Sequence, residues 1–375
     1  MSKNHEELCF HDYSYMIEKL HSKGLIIDDT QLAISILKSR GYYNLINRYK
    51  EEFYNAETKT YRENVHLTDL YYYHRVEDDL RNILFKFTIN FEQRLKEAMA
   101  YILAKKFGVK TDDYLNPMNY RRKNKAISIT KFLKANIDTC NDDPTKYYKK
   151  EYNQVPPWIL LSNTSLGQTR MLLSIFPRQM TEYVAGELLP VHKFESYKEP
   201  QPYYFIKEDI FDEYIDRDDV DGKQINELID SGVGDLLELT RNMITIIYNF
   251  RNNLAHGSRL IHFKASQKLN LKPLRLFANE AVFSDKEFLN NNLCRNELFA
   301  FMSSLVILLD KYDSKYFIEQ LASWEKINTS TEIEKENFSK FIASCGLPNN
   351  FVTRLRNIKI EKTIQEQNQD FYKLF

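Results

Sequence analysis

Apolar residues recur every three or four positions along most of this chain, the spacing of helices with one buried face. The clearest ladder runs Leu80, Leu84, Phe87, Phe91, Leu95, Met99 and Ile102. No Gly or Pro interrupts residues 67–107, and Gly108 follows as a stop, so one long helix is predicted there. Its early acids Glu77, Asp78 and Asp79 and its late bases Arg94, Lys96, Lys105 and Lys106 suit the helix dipole. A second ladder of Leu236, Leu239, Met243, Ile247, Phe250 and Leu254 predicts a helix over about 234–256, stopped by Gly257. A third helix is expected over about 292–310. Two short helices joined at Lys23-Gly24 open the chain, and polar helices broken at Gly346-Leu347-Pro348 close it. A strand-like stretch is confined to Tyr203–Ile206, after Pro200 and Pro202. The pattern predicts an all-α fold.

Composition agrees. The 375 residues are 43% hydrophobic and 28% charged, enough for a core and too apolar for wholesale disorder. Ten Gly and ten Pro argue against a turn-rich β sandwich or barrel. The longest apolar stretch, Phe299–Leu309, is too short to span a bilayer, and no apolar signal core opens the chain. Four scattered cysteines (Cys9, Cys140, Cys294, Cys345) lack zinc-ribbon spacing and fit reduced thiols. A soluble cytoplasmic protein without a membrane partner is expected.

The formal net charge is zero, from 52 basic and 52 acidic residues, which at first disfavours a nucleic-acid partner. The charge is unevenly spread, however. Residues 190–240 hold 14 acids and five bases, whereas residues 119–150 hold nine bases and three acids, interleaved with Tyr120, Tyr147 and Tyr148. The acidic stretch reads as a surface insert, either a solvated loop or a flap over a basic groove. The basic segment offers Arg121, Arg122, Lys123 and Lys125 as phosphate contacts, its tyrosines as stacking platforms. Five consecutive segments follow: an N-terminal helical region (1–60), a helical block (61–189), the acidic insert (190–235), further helices (236–320) and a C-terminal extension (321–375).

Familiar chemical signatures are absent: there is no HExxH, GxxxxGK[ST], GxSxG or GxGxxG. Asp216, Asp218, Asp219 and Asp221 lack the glutamate that closes a calcium loop. No metal ligand set and no cofactor are expected. His256 stands out, because it ends the second ladder five residues after Arg251. By helix geometry the two lie about 140° apart around the axis, while Asn252 shares a face with His256 and can orient its ring. An imidazole can move protons near neutral pH, and a guanidinium can hold phosphate oxygens and the charge developing on them. RNA carries its own nucleophile, the 2′-hydroxyl, so such a pair needs no metal. With 18 arginines and eight histidines in the chain, the spacing alone is weak evidence, and a structural helix cap is the more ordinary reading of it.

The neighbourhood adds specificity. The string Arg251-Asn252-x-x-Ala255-His256-x-x-Arg259-Leu260 resembles the signature of the Abi-like abortive-infection family (AbiD/AbiF type), whose catalytic part belongs to the HEPN ribonuclease superfamily. Three further blocks resemble that family in its order. They are Gly24–Asp29 with Gly41-Tyr42-Tyr43 and Arg48-Tyr49, then Leu80-Arg81-Asn82 through Glu92-Gln93-Arg94-Leu95 to Gly108, then Pro157-Trp158 running into Ser165–Thr169. The resemblance implies an HEPN-like helical bundle and metal-independent RNA cleavage by a phage-defence toxin. It also implies Arg251 and His256 as the catalytic pair, with Asn252 positioning them and Arg259 near the RNA. A noncoding RNA or an antitoxin partners some relatives. No other Arg is followed by His at four to six intervening positions. Because HEPN sites pair two such motifs, a homodimer is expected. Gly257 stands where the family often has a second histidine, and the acidic 190–240 stretch is longer than the family's. A non-catalytic RNA-holding or sensing module is the alternative, and a protein-interaction scaffold a third reading.

Overall fold

A computed structural model describes residues 9–191, 210 and 222–360. The all-α expectation holds. The described residues form 17 α-helices and one two-stranded hairpin, Tyr54–Asn55 with Thr60–Tyr61. Helices α1 (Tyr13–Ser22), α2 (Thr30–Arg40) and α3 (Arg48–Phe53) precede the long α4 (Leu67–Phe107). Next come α5 (Thr111–Tyr114), α6 (Lys123–Thr139), α7 (Thr145–Tyr152), α8 (Pro157–Ser162), α9 (Leu166–Leu173) and α10 (Arg178–Leu188). The last group is α11 (Gly222–Ala255), α12 (Leu271–Leu274), α13 (Asp285–Asn290), α14 (Leu298–Leu308), α15 (Lys311–Ile327), α16 (Glu332–Ser344) and α17 (Phe351–Arg356). No helix is long and apolar enough to cross a membrane among the described residues.

The chain divides into two compact units that cut across the five consecutive segments read from the sequence. One comprises residues 1–82 and 326–344, the other 83–325 and 345–375. In the first unit, Asp12 and Asp29 cap α1 and α2, Asp12 accepting from the Tyr15 N–H and Asp29 from those of Gln31 and Leu32. Buried Glu77 accepts from Arg48 Nε at 2.9 Å and from the Tyr49 hydroxyl, with Arg81 3.7 Å away. His74, half-buried beside this group, is held below its ordinary pKa by burial first, then by Arg40 and Arg48. Its ring lies 6.1 Å from that of Tyr49.

The second unit is built around α14, every residue of which is buried. This is the apolar stretch of the sequence, too short for a bilayer and used here as a core helix. It begins at Leu298 rather than near residue 292, because Glu297 caps it. The Glu297 carboxylate accepts from the backbone N–H groups of Cys294, Arg295, Asn296 and Ala300, which holds the preceding residues in a loop. Burial still pushes the Glu297 carboxyl above its usual range. Helix α11 packs most extensively on α14, and the Phe250 and Phe301 rings stack with centroids 4.5 Å apart.

Helix α11 starts at Gly222, about 12 residues before its predicted start. Its buried ladder continues backward through Val233 and Ile229, and that burial offsets the roughly 1 kcal/mol that each interior glycine costs. Residues 222–235 of the acidic segment are therefore helical, while most of 190–221, including Tyr203–Ile206, lies outside the described residues. Arg94 ties two helix ends together. Its guanidinium donates to the Leu308 carbonyl of α14 at 3.2 Å and to the Glu187 carbonyl of α10, satisfying acceptors that a helix end leaves open. Lys149 does the same for α6, donating to the carbonyls of Ile137, Asp138 and Cys140.

Candidate functional site

Helix α11 stops at Ala255, so His256 is the first residue beyond it and is exposed. Its backbone N–H still donates to the Asn252 carbonyl at 3.0 Å. Gly257 follows with φ +63°, a left-handed turn that strains any residue with a side chain. Asn253 then fixes the exit of the chain: its carbonyl accepts from Ser258 N, and its buried side chain donates to the Arg259 carbonyl, each at 3.0 Å. His256 thus sits on a defined turn rather than on a fraying helix end. The ring-orienting role expected of Asn252 is not seen in side-chain contacts. Asn252 reaches His256 through its backbone carbonyl, and Asn253 is the residue whose amide organises the turn.

Arg251 points the other way, toward α4. Its Nε lies 3.8 Å from Oε2 of Glu92, a carboxylate only 6% exposed. The other carboxylate oxygen of Glu92 accepts from Lys96 at 2.8 Å, one turn along α4. One buried negative charge therefore faces two cations, which lowers the cost of burying it and limits where Arg251 can go. The Arg251 guanidinium remains 28% exposed at its side chain, so it can meet an anion from solvent while its Nε edge faces Glu92. Among the described residues no hydrogen bond links Arg251 to His256. The two stand on different sides of the same helix end.

The predicted phosphate contacts are in the same unit. Arg122 and Lys123 are exposed, as is Lys125, at the start of α6. Arg122 occupies the cap position with φ 59° and offers the first turn no side-chain acceptor. Arg121 is half-buried, its N–H bound to the Ile175 carbonyl at 3.0 Å and its Nε without a hydrogen-bond partner. Arg259 is half-buried after the turn. Tyr120, expected to be available for stacking, is instead core: it is 5% exposed, its hydroxyl bonds the Tyr114 carbonyl, and its ring lies along Phe176. Tyr147 and Tyr152 are exposed on α7.

The sequence reading missed three features. Glu92 belongs to a block that matched the resemblance, but its partner Arg251 is far away in the chain, and only the Glu92-x-x-x-Lys96 spacing hinted at an ion pair. Arg241 shows no sequence motif, yet Arg121 and Arg122 lie close enough for their charges to act on it. Tyr248 supports Arg170, whose guanidinium carbon lies 4.4 Å from the ring centroid.

The family model described as Abi-like protein matches residues 35–262, more than half the chain. The chain belongs to the Abi-like family. The matched span of this Abi-like protein takes in Glu92, Arg121, Arg122, Arg251, His256 and Arg259. No curated protein and no solved structure matches the chain. Family membership suggests an abortive-infection role in defence against phage.

Proposed function

We propose that this Abi-like protein is an HEPN-type endoribonuclease that cuts RNA without needing a metal, and that it acts as a homodimer. The observation that carries this reading is the pairing at the end of α11. A guanidinium lies 3.8 Å from the buried Glu92 carboxylate, an ion-pair distance without a hydrogen bond, and an imidazole stands exposed on an ordered turn five residues later. In the reaction the RNA 2′-oxygen attacks the adjacent phosphorus and the bond to the 5′-oxygen breaks, leaving a 2′,3′-cyclic phosphate and a 5′-hydroxyl. His256 moves a proton, taking it from the 2′-hydroxyl or giving it to the leaving oxygen. Arg251 holds the phosphate oxygens on which charge accumulates. Two copies of the motif, one per protomer, supply the base and the acid together.

The test is expression of wild type, Arg251→Ala and His256→Ala, scoring growth arrest and RNA cleavage in EDTA. Wild type should arrest growth and leave cyclic-phosphate ends, and both variants should lose both effects. Inert wild-type protein, or a His256→Ala variant of undiminished toxicity, defeats the proposal. A second reading, RNA holding without cleavage, is favoured by the lack of a hydrogen bond between Arg251 and His256 within one chain. It predicts that RNA co-purifies with all three proteins uncut.

A further inference from the structure

The outward face of α11 carries a pattern beyond the Arg251–His256 pair. Arg241, Thr245, Tyr248 and Asn252 are half-exposed, and His256 is exposed. Their spacing of three or four places them on one side of the helix. From Arg241 to His256 the chain contains no Asp or Glu. At 1.5 Å per residue this stretch of helix, with Glu238 just before its start, runs for about 22 Å.

At its far end Arg241 lies within reach of the charges of Arg121 and Arg122. Arg121 and Arg122 act on the charge of Arg241, and none of the three has a carboxylate in ion-pair range among the described residues. Burial pushes the Arg241 guanidinium below its ordinary range, and repulsion from Arg121 and Arg122 pushes it further, with Glu238 opposing. Like charges crowded in this way are costly unless an anion joins them. Midway along the face stands Tyr248, with Arg170 against its ring. Gly167 permits that placement, because a Cβ there would come within 3.1 Å of the ring.

We propose that this face is a track for one strand of RNA, with Arg121, Arg122 and Arg241 gripping phosphates at one end, Tyr248 on Arg170 stacking a base midway, and His256 at the other end. The inference rests on the ribonuclease reading and adds where the substrate lies. Arginines for phosphates and an aromatic face for unpaired bases is the chemistry of single-strand recognition. At the 3.4 Å per nucleotide of a stacked strand, the track spans about six nucleotides.

The experiment measures fluorescence anisotropy of labelled single-stranded RNAs of three and ten nucleotides on the full-length His256→Ala protein, over a range of salt. The ten-mer should bind much more tightly than the three-mer. Arg122→Gln and Arg241→Gln should each weaken the ten-mer by roughly tenfold and reduce the salt slope by about one. Tyr248→Leu should also lose roughly tenfold, and Tyr248→Phe should keep the affinity. Arg122 is exposed, so its variant tests the track without endangering the core. Unchanged affinity in Arg122→Gln and Arg241→Gln overturns the track, as does equal competition by polyglutamate, which would mark the face as a site for acidic protein. The two proposals fail separately. Cleavage by wild type with normal binding by the arginine variants sinks the track alone, whereas weakened binding with an inert wild type sinks the nuclease alone.

Discussion

In the proposed reaction Arg251 holds the phosphate, and its neighbour Glu92 limits where that side chain can go. A free arginine side chain samples many rotamers, each costing entropy when a substrate must fix it. The buried carboxylate of Glu92, itself held by Lys96, removes part of that cost in advance. Glu92→Ala should therefore lower kcat by on the order of 100-fold, with much less change in KM, since displacement of a clamping group by an ångström has effects of this size. Glu92→Asp, which keeps the charge, should recover part of the loss. Single-turnover cleavage assays would show it, and an equal loss in both variants would mean that Glu92 only supports the fold. The pair was invisible in the sequence because its members lie on helices far apart in the chain. Arg251 and His256 were visible because both lie in one short string. Asn253 was overlooked in favour of Asn252, since a helical wheel shows which face a residue shares but not which side chain the turn beyond the helix will recruit.

Element by element, what could be read from the sequence was whatever burial writes at short range. The ladder from Leu80 to Ile102 is buried throughout, and Gly108 ends α4 with φ +79° as its composition implied. The start of α14 was misplaced because a capping glutamate buried under backbone N–H groups looks, in sequence, like any polar residue. The helix ends also depend on partners that no local pattern reveals. Arg94 reaches carbonyls of α10 and α14, so Arg94→Met should remove this donor from two part-buried carbonyls and cost about 1–2 kcal/mol in urea unfolding. Between α13 and α17, Glu287 accepts both arms of Arg354, at 3.1 and 3.0 Å. The Arg354 hydrogen bonds pull the Glu287 carboxyl down to about 2 from its ordinary 4.5. A depressed folded-state pKa means stability present above the unfolded value and lost as pH falls. Stability should therefore fall as pH drops from 4.5 toward about 2, by on the order of 1 kcal/mol after solvent screening, and Arg354→Ala should fall less, keeping only the share that the Ser284 hydrogen bonds contribute. Thermal melts across that window would check it, and identical pH profiles would refute it.

At the scale of the whole molecule, the zero net charge is a sum of opposed regions. The acids concentrate in residues 190–240, and residues 241–256 directly after them contain no Asp or Glu. A neutral total is thus compatible with the proposed RNA track. Helix α14, buried at every residue, carries a further consequence for how the molecule can be watched. Its amides have no route to solvent short of opening the unit that surrounds them, so their hydrogen–deuterium exchange should be the slowest in the chain and report that opening. Helix α11 is the main packing partner of α14, and the two should open together. RNA bound to α11 would then slow exchange in α14 by the factor that mass action sets, 1 + [RNA]/Kd. A helix that never touches the ligand would record how tightly the ligand is held.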